Sequence, residues 1–212
     1  AFEEIGRRVR GAGSVEEVAI KDFIRERFRA EGLVAEDGPI VGVNANSGNP
    51  HYEPTAEETT PIRPGDFVLL DMWAKLAEPG AVYYDITWTG FLGPQVPEKI
   101  QRVFEIVRGA RDRAIEFIES AMRENRVICG YQVDDVARGY IRERGYGEQF
   151  TPRTGHSIGE EVHGNGANMD NLETHDERPL ITGTCFSIEP GIYLPDFGVR
   201  SEVNVYAGDD EA

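Results

Sequence analysis

Four acidic side chains lie within apolar or glycine-bearing stretches of this chain, and no other feature restricts its fold as strongly. Asp71 ends a Leu-Leu-Asp run, Asp85 lies in Tyr-Asp-Ile-Thr, Glu189 in Ser-Ile-Glu-Pro-Gly and Glu202 in Arg-Ser-Glu-Val. An isolated carboxylate loses several kcal/mol on burial, so such residues are rare in a core unless they are paired or bind a cation. The fold must therefore bring these acids to a common positive charge.

Divalent metal ions are the simplest source of that charge. Arg200 is the only arginine near the acids in the sequence. His156, in the segment Thr-Gly-His-Ser-Ile-Gly, adds an imidazole nitrogen to the four carboxylates. A ligand set rich in carboxylates favours manganese, and cobalt, iron and zinc also bind such donors. These five side chains could together hold two such ions.

The size and charge of the chain exclude several classes of protein. With 212 residues, of which 40% are hydrophobic, it can bury a substantial core, and we expect one domain over residues 1–212. A formal net charge of -16 argues against nucleic-acid binding, which needs clustered lysine and arginine. No apolar run reaches the roughly eighteen residues of a membrane span, so no membrane partner is expected. Cys129 and Cys185 form no Cys-x-x-Cys pattern, which favours a reducing, cytoplasmic location.

The periodicity of apolar residues predicts an α+β fold. Helical spacing occurs over 14–32, 97–122 and 132–143. The first of these segments begins with Ser14 and carries Glu17 three residues later, which has the form of a capping box. Segments of strand character span 40–43, 67–72, 81–87, 180–188, 191–194 and 199–206. Because the strands follow one another as hairpins rather than alternating with helices, we expect antiparallel pairing, which would bring Asp71 and Asp85 together.

Three motifs of the chain resemble those of a known family. The sequence reads Ser-Ile-Glu-Pro-Gly-Ile-Tyr over 187–193, Gly-His-Ser-Ile-Gly over 155–159 with His163 following, and Asp-Ile-Thr over 85–87. In this order they resemble the pita-bread metallopeptidases, in particular the branch of Xaa-Pro aminopeptidases and Xaa-Pro dipeptidases (prolidases). The resemblance implies a pita-bread fold, with a curved, antiparallel-rich sheet, helices on its outer face and two halves related by a pseudo-twofold axis.

The resemblance also implies a role for each candidate residue. It implies a centre of two divalent ions whose ligands are Asp71, Asp85, His156, Glu189 and Glu202. Glu189 would also accept the proton of the attacking water, and His163 would hydrogen-bond the substrate carbonyl or the developing oxyanion. His51 would contact the substrate near its scissile nitrogen, and Arg200 would orient a ligand carboxylate. No cofactor other than metal is implied.

The activity implied by the resemblance is hydrolysis of a peptide bond near the amino terminus of short peptides, with proline preferred after the scissile bond. Methionine aminopeptidase activity and a non-peptidase reaction on small molecules are alternatives on the same fold. A catalytically inactive interaction module is an alternative of a different class, and a metal content near zero would distinguish it. Relatives in this branch often carry an additional amino-terminal domain and form homodimers, and this chain lacks an initiator Met. We therefore expect a catalytic domain excised from a longer, dimeric protein.

The chain departs from the family pattern between the first two acids. Trp73 stands two residues after Asp71, where the family usually has glycine. The spacing from Asp71 to Asp85 is longer than in the family, which predicts an enlarged hairpin that reshapes the substrate pocket. Trp88 is a further candidate for lining a proline-binding pocket, although aromatic residues on strands more often pack in the core.

Overall fold

The computed structural model describes residues 1–208 of the chain. Its helices are α1 (Phe2–Ala12), α2 (Glu17–Ala30), α3 (Glu98–Arg123) and α4 (Gly130–Glu143). Its strands are β1 (Val15–Glu16), β2 (Leu33–Val34), β3 (Ile40–Val43), β4 (Pro61–Ile62), β5 (Phe67–Leu76), β6 (Tyr84–Phe91), β7 (Ser157–Ile158), β8 (Thr184–Ile188), β9 (Gly191–Tyr193), β10 (Gly198–Arg200) and β11 (Val203–Ala207). Short 3-10 helical segments cover Asn44–Gly48 and Gly147–Gln149.

The first half of the molecule runs from α1 to β6, and the second half from α3 to β11. A long hairpin of β5 and β6 forms the centre of the first half. Residues 67–71 of β5 are all buried, which explains why the strand begins as a continuous apolar run rather than an alternating one. Strand β5 pairs antiparallel with β6, where Asp71 lies opposite Thr87. On its other side it pairs with β3, where Ile40 lies opposite Asp71, and with β2. Asp71 therefore lies in the middle of a sheet rather than at its edge.

The second half of the molecule joins β6 through β11. The backbone amide of Asp85 donates to Asn204 Oδ1 at 2.9 Å, and Asn204 Nδ2 donates to the Asp85 carbonyl at 2.6 Å. Strand β8 lies between β11 and β7, and β9 pairs with β10. These pairs are all antiparallel. Strands of both halves thus meet beside Asp85.

Each half has its own apolar core between helices and strands. In the first half, Ile5 of α1 packs in one cluster with Ile20 of α2 and Leu70 of β5. In the second half, Val107 of α3 and Ile188 of β8 belong to another cluster, which α4 also joins. Helices packed against antiparallel strands in both halves give the α+β arrangement that the sequence predicts.

The boundaries of two helices agree closely with the sequence-based prediction. The helices predicted over 97–122 and 132–143 correspond to α3 and α4, and their ends differ by two residues at most. Helix α1 is absent from the prediction, although Ile5 and Val9, one turn apart, form its buried face. The predicted capping box is wrong, because α2 begins at Glu17 without a side-chain cap and β1 pairs with β4 instead. The Glu17 carboxylate accepts hydrogen bonds from the distant amides of Val43 and Thr60, at 2.6 and 2.8 Å.

The structure also bears on membrane-spanning helices and on the state of the two cysteines. Within residues 1–208, no helix is long and apolar enough to cross a lipid bilayer. Cys129, which precedes α4, and Cys185, on β8, are both free thiols.

Candidate metal centre

A cavity of about 800 Å³ opens beside the β5–β6 hairpin. Its wall contains every residue that the sequence selects for the site, namely Asp71, Asp85, His156, Glu189, Glu202, His51, His163 and Arg200. Residues from both halves of the molecule therefore converge on one place. Their roles as ligands or catalytic groups stay predictions.

The β5–β6 pairing directs Asp71 and Asp85 to the cavity. Side chains that lie opposite each other across an antiparallel pair project to the same side of the sheet. Asp71 lies opposite Thr87, and Trp73 lies opposite Asp85, so these four side chains share one side of the hairpin. Both aspartates are buried, with 6% and 5% of their surface exposed.

His156 is buried between two acids. Its Nε2 lies 3.4 Å from Asp85 Oδ2 and 3.3 Å from Glu189 Oε1. Its Nδ1 lies 3.1 Å from the carbonyl oxygen of Ser157, which can only accept, so Nδ1 carries a hydrogen and donates it. Burial lowers the pKa of His156, but the carboxylates of Asp85 and Glu189 outweigh it, and the net pKa is raised. An imidazole held through one nitrogen with the other directed at acids has the usual orientation of a metal ligand.

Two carboxylate oxygens of the cluster lack a hydrogen-bond partner within the described part of the chain. They are Asp71 Oδ1 and Glu202 Oε1, and both are buried. Such an atom costs about 1–3 kcal/mol, and more when it carries charge, so nearly all buried polar groups are satisfied. Glu17 and Asp134 are also fully buried, yet both oxygens of each accept hydrogen bonds. The contrast indicates that the first pair is arranged for a cation.

The negative charges of the cluster oppose one another. Burial raises the pKa of Asp71 to about 7; the Arg200 cation opposes this, while Asp85 and Glu189 reinforce it. Burial also raises the pKa of Glu202, and the charges of Glu189, Asp85 and Asp71 add to the effect. Ligand atoms of Asp85, His156 and Glu202 lie within 4.8 Å of one another, close enough to share one ion. A divalent cation would relieve the repulsion and supply the missing partners, so the donor set fits a metal.

Glu189 is held at the boundary between the cluster and the open cavity. Its side chain is 16% exposed, compared with 5% for His156. The Ser187 hydroxyl donates to Glu189 Oε1 at 2.9 Å and accepts from the backbone amide of His156, also at 2.9 Å. One serine thus positions both residues. A carboxylate fixed in this way and open to the cavity can accept a proton from a water molecule.

His163 and His51 lie on the cavity wall and are more exposed than the cluster. The His163 ring meets the His156 ring edge to face, with 4.4 Å between centroids. Partial desolvation lowers the pKa of His163, and the positive charges of His156 and Arg153 act in the same direction. A neutral His163 can donate a hydrogen bond into the cavity. The backbone amide of His51 donates to Asn49 Oδ1 at 3.0 Å.

Arg200 contacts an acid of the cluster, as its predicted role requires. It is buried, forms an ion pair with Asp71 and donates from Nε to Thr87 Oγ1 at 2.7 Å. Its Nη1 lies 3.3 Å from the Tyr193 hydroxyl. The sequence motifs do not single out Thr87, Tyr193 or Ser187 as site residues. Thr87 could have been predicted, because it lies two residues after Asp85 on one strand and alternate strand residues share a face.

The enlarged hairpin brings aromatic side chains to the cavity wall. Trp73 lines the cavity, and its Nε1 donates to Asp37 Oδ1 at 3.0 Å. Tyr83, in the connection of the hairpin, also lines the cavity, and its amide donates to the Gly159 carbonyl at 2.9 Å. Trp88 neither lines the cavity nor packs in the core, which is the more common place for an aromatic residue on a strand, because its side of β6 is opposite to that of Asp85 and it is 62% exposed. The pocket wall therefore gains its aromatic residues from the hairpin.

The fold and site together define a class of protein: an α+β domain in which buried acids and an imidazole, a donor set that fits a divalent cation, lie at the side of a large cavity. Comparison with known proteins makes this specific. The family profile of metallopeptidase family M24 matches residues 1–209, and the chain belongs to that family.

Several relatives share the sequence or the fold. The chain is 35% identical to the Xaa-Pro dipeptidase of Lactobacillus delbrueckii subsp. lactis, over 77% of this chain and 40% of the relative. It is 35% identical to the Xaa-Pro dipeptidase of Pyrococcus furiosus, over 97% of this chain and 53% of the relative. The solved structure of an Xaa-Pro dipeptidase from Bacillus anthracis superimposes with a TM-score of 0.82 at 29% identity, covering 99% of this chain and 54% of that one. The predicted Xaa-Pro branch and pita-bread fold are thereby confirmed. The chain spans about half the length of the relatives it matches.

Proposed function

We propose that this chain is the catalytic domain of a metal-dependent exopeptidase that hydrolyses the bond before proline near the amino terminus of short peptides. The observation that carries the proposal is the pair of buried oxygens, Asp71 Oδ1 and Glu202 Oε1, that have no hydrogen-bond partner within residues 1–208. Glu202 lies within reach of the ligand atoms of Asp85 and His156. Membership of a metallopeptidase family and similarity to Xaa-Pro dipeptidases support the reaction and substrate class. The preference for proline rests on that similarity.

The proposed centre is dinuclear. The residues that would hold its ions are Asp71, Asp85, His156, Glu189 and Glu202. Two divalent ions, with manganese favoured by the carboxylate-rich set and cobalt, iron or zinc also suited to it, would polarise the scissile carbonyl and activate the attacking water.

The side chains around the cavity would supply the remaining chemistry. Glu189, positioned by Ser187, takes the proton of the attacking water as general base. His163, kept neutral by its surroundings, donates a hydrogen bond to the substrate carbonyl as negative charge develops on its oxygen. His51 contacts the substrate near the scissile nitrogen from the opposite half of the molecule.

A comparison of peptide substrates tests the proposed activity. With added manganese, the chain should release the first residue from Ala-Pro peptides at least tenfold faster than from Met-Ala peptides, measured as amino acid released. A reversed order would identify a methionine aminopeptidase. The proposal would be contradicted if neither peptide is cleaved and the purified protein contains no bound metal. That result would favour an interaction module.

The substitution Glu189→Gln tests the proposed base. Removing a general base typically slows catalysis by about 10²–10⁴-fold, whereas the amide has nearly the same shape, so the fold should remain. The measurement is kcat on an Ala-Pro peptide, with circular dichroism and bound manganese as checks. Turnover at the wild-type rate would remove Glu189 from this role.

We also propose that residues 1–212 form one catalytic domain of a longer, homodimeric protein that acts in the cytoplasm. The share of the relatives that the chain covers supports the longer protein, and the free state of Cys129 and Cys185 supports a reducing compartment. Sedimentation of the full-length protein measures the oligomeric state, and a monomer would contradict the dimer.

A further inference from the structure

The hydroxyl of Thr87 lies between Arg200 and Glu202. Arg200 Nε is 2.7 Å from Thr87 Oγ1, and Thr87 Oγ1 is 2.8 Å from Glu202 Oε2. All three residues are buried, with Thr87 only 2% exposed. Water therefore does not compete for these hydrogen bonds.

The direction of each hydrogen bond is fixed by the chemistry of the groups. A guanidinium can only donate, and a carboxylate that binds a cation is ionised and can only accept. The Thr87 oxygen must therefore accept from Arg200, and its single hydrogen must point to Glu202. Arg200 also donates to Asp71 through its ion pair. The result is one continuous line of hydrogen bonds, Asp71–Arg200–Thr87–Glu202, that joins two acids from different halves of the molecule.

This line divides the oxygens of each outer acid. The oxygens that it holds are Asp71 Oδ2 and Glu202 Oε2. The oxygens that it leaves are Asp71 Oδ1 and Glu202 Oε1, the two buried atoms without a partner among residues 1–208. Each carboxylate is thus fixed through one oxygen and offers the other.

We infer that Thr87 is a positioning residue for the metal centre: its hydroxyl holds Glu202 through Oε2 so that Oε1 stays directed at a divalent cation. The inference rests on the proposed function, because it takes Glu202 to be a metal ligand. Groups that hydrogen-bond a ligand commonly change metal affinity by about 10–100-fold. Thr87 carries that effect here because it is the one hydroxyl in the described structure that joins Arg200 to Glu202.

A substitution can remove the side-chain hydrogen bonds of Thr87 without changing its backbone contacts. Its carbonyl accepts from the amide of Glu202 at 3.3 Å, and its strand pairs with β5 opposite Asp71. Both contacts survive a change of side chain. Valine has nearly the shape of threonine without the hydroxyl, so Thr87→Val removes the two side-chain hydrogen bonds and keeps the packing.

The test measures manganese binding to the metal-free chain rather than catalysis. The wild type and the variants Thr87→Val, Thr87→Ser and Thr87→Ala are treated with EDTA, dialysed and titrated with MnCl₂ by calorimetry. The wild type should bind about 10–100-fold more tightly than Thr87→Val, and Thr87→Ser should bind more tightly than Thr87→Ala by a similar factor. The second pair repeats the comparison should the valine variant fail to fold, since serine and alanine also differ only by a hydroxyl.

Thr89 provides a matched control. It lies two residues further along β6, on the same side, and is half-buried outside the cavity wall. Thr89→Val should bind manganese as the wild type does. Equal affinities within each Thr87 pair would overturn the inference. A hydroxyl-dependent affinity without hydrolysis of any peptide would overturn the proposed function alone, and a wild type that binds no manganese would overturn both.

Discussion

Single buried carboxylates serve two different purposes in this protein. Glu17 accepts from the amides of Val43 and Thr60 and from the Tyr52 hydroxyl, so it fixes both ends of the segment that carries His51. Both carboxylate oxygens of such an acid accept hydrogen bonds from the chain itself. Asp71 and Glu202 of the candidate metal centre each have one buried oxygen without a hydrogen-bond partner among the described residues. This difference in hydrogen bonding, rather than burial alone, distinguishes them from a structural acid such as Glu17.

Asp134 allows this distinction to be tested. Its carboxylate binds Arg138 through two oxygens and accepts from the amide and hydroxyl of Thr154, two residues before His156. Asp134→Ala removes the carboxylate that balances the Arg138 charge and accepts from the Thr154 hydroxyl, and leaves Arg138 only the carbonyls of Phe150 and Pro152, so unfolding free energy should fall by about 3–5 kcal/mol. Asp135→Ala, on the exposed side of the same helix, removes one exposed hydrogen bond from the Asn171 side chain and should cost no more than about 1 kcal/mol in the same urea titrations. Equal losses would show that Asp134 is not a structural anchor.

Asp176 should make stability depend on pH in acid. The Arg178 side chain lowers its pKa from the ordinary 3.8 to about 2; burial opposes this shift, while the amides of Asn168 and Arg178 add to it. Because the folded pKa lies below the unfolded one, the stabilisation is complete above pH 4 and is lost as pH falls through 2. Since Arg178 is half exposed, we expect an effect on the order of 1 kcal/mol. Asp176→Asn should thus be less stable than the wild type at pH 5, and the gap should narrow by pH 2. A gap that does not change with pH would contradict this assignment.

At the scale of elements, the sequence predicts what depends on local pattern. Helices α3 and α4 follow from apolar residues at three- and four-residue spacing, such as Val103 and Val107. The start of α2 does not, because Glu17 is committed to Thr60, which lies 43 residues away. The place of Trp88 could not be predicted for a similar reason. The register of β6 with β5 sets which side of β6 faces the cavity. Contacts between distant segments were thus the limit of prediction.

The segment that carries His156 depends on close packing against β8. The α-hydrogens of Gly155 lie against the Ser187 carbonyl, and a Cβ there would be 2.0 Å from that oxygen. Gly155→Ala should push the segment away from β8, weakening the Ser187 hydrogen bond to His156 and lowering unfolding free energy by about 1–3 kcal/mol or more. Gly159→Ala has open space around the new methyl group and should stay within about 0.5 kcal/mol of the wild type. Thermal unfolding of both variants gives the comparison, and an alanine tolerated equally at both positions would contradict the packing argument.

At the scale of the whole molecule, the site exists only because two halves meet. The sequence could nominate Asp71, Asp85, His156, Glu189 and Glu202, since acids in apolar stretches are unusual wherever they occur. It could not provide the line that joins Asp71 to Glu202 through Arg200 and Thr87, because its members come from β5, from β6, from β10 and from the residue before β11. Asp71 and Glu202, each with one unsatisfied oxygen among the described residues, come to the wall of one cavity only after folding. Cation binding should therefore stabilise the folded molecule as a whole.

The stability of the chain should rise when metal is added. Ligand that binds only the folded state adds RT ln(1 + [L]/Kd), which is about 2.7 kcal/mol at a free concentration of one hundred times Kd. For a chain of 212 residues this corresponds to a rise in Tm of roughly 5–10 °C. Differential scanning calorimetry of EDTA-treated protein, with and without manganese, measures the rise. Glu202→Gln should lose most of it because a ligand charge is removed from the centre, whereas Glu160→Gln, at an exposed position, should keep it. A Tm that manganese leaves unchanged in the wild type would mean that the buried acids do not form a metal centre.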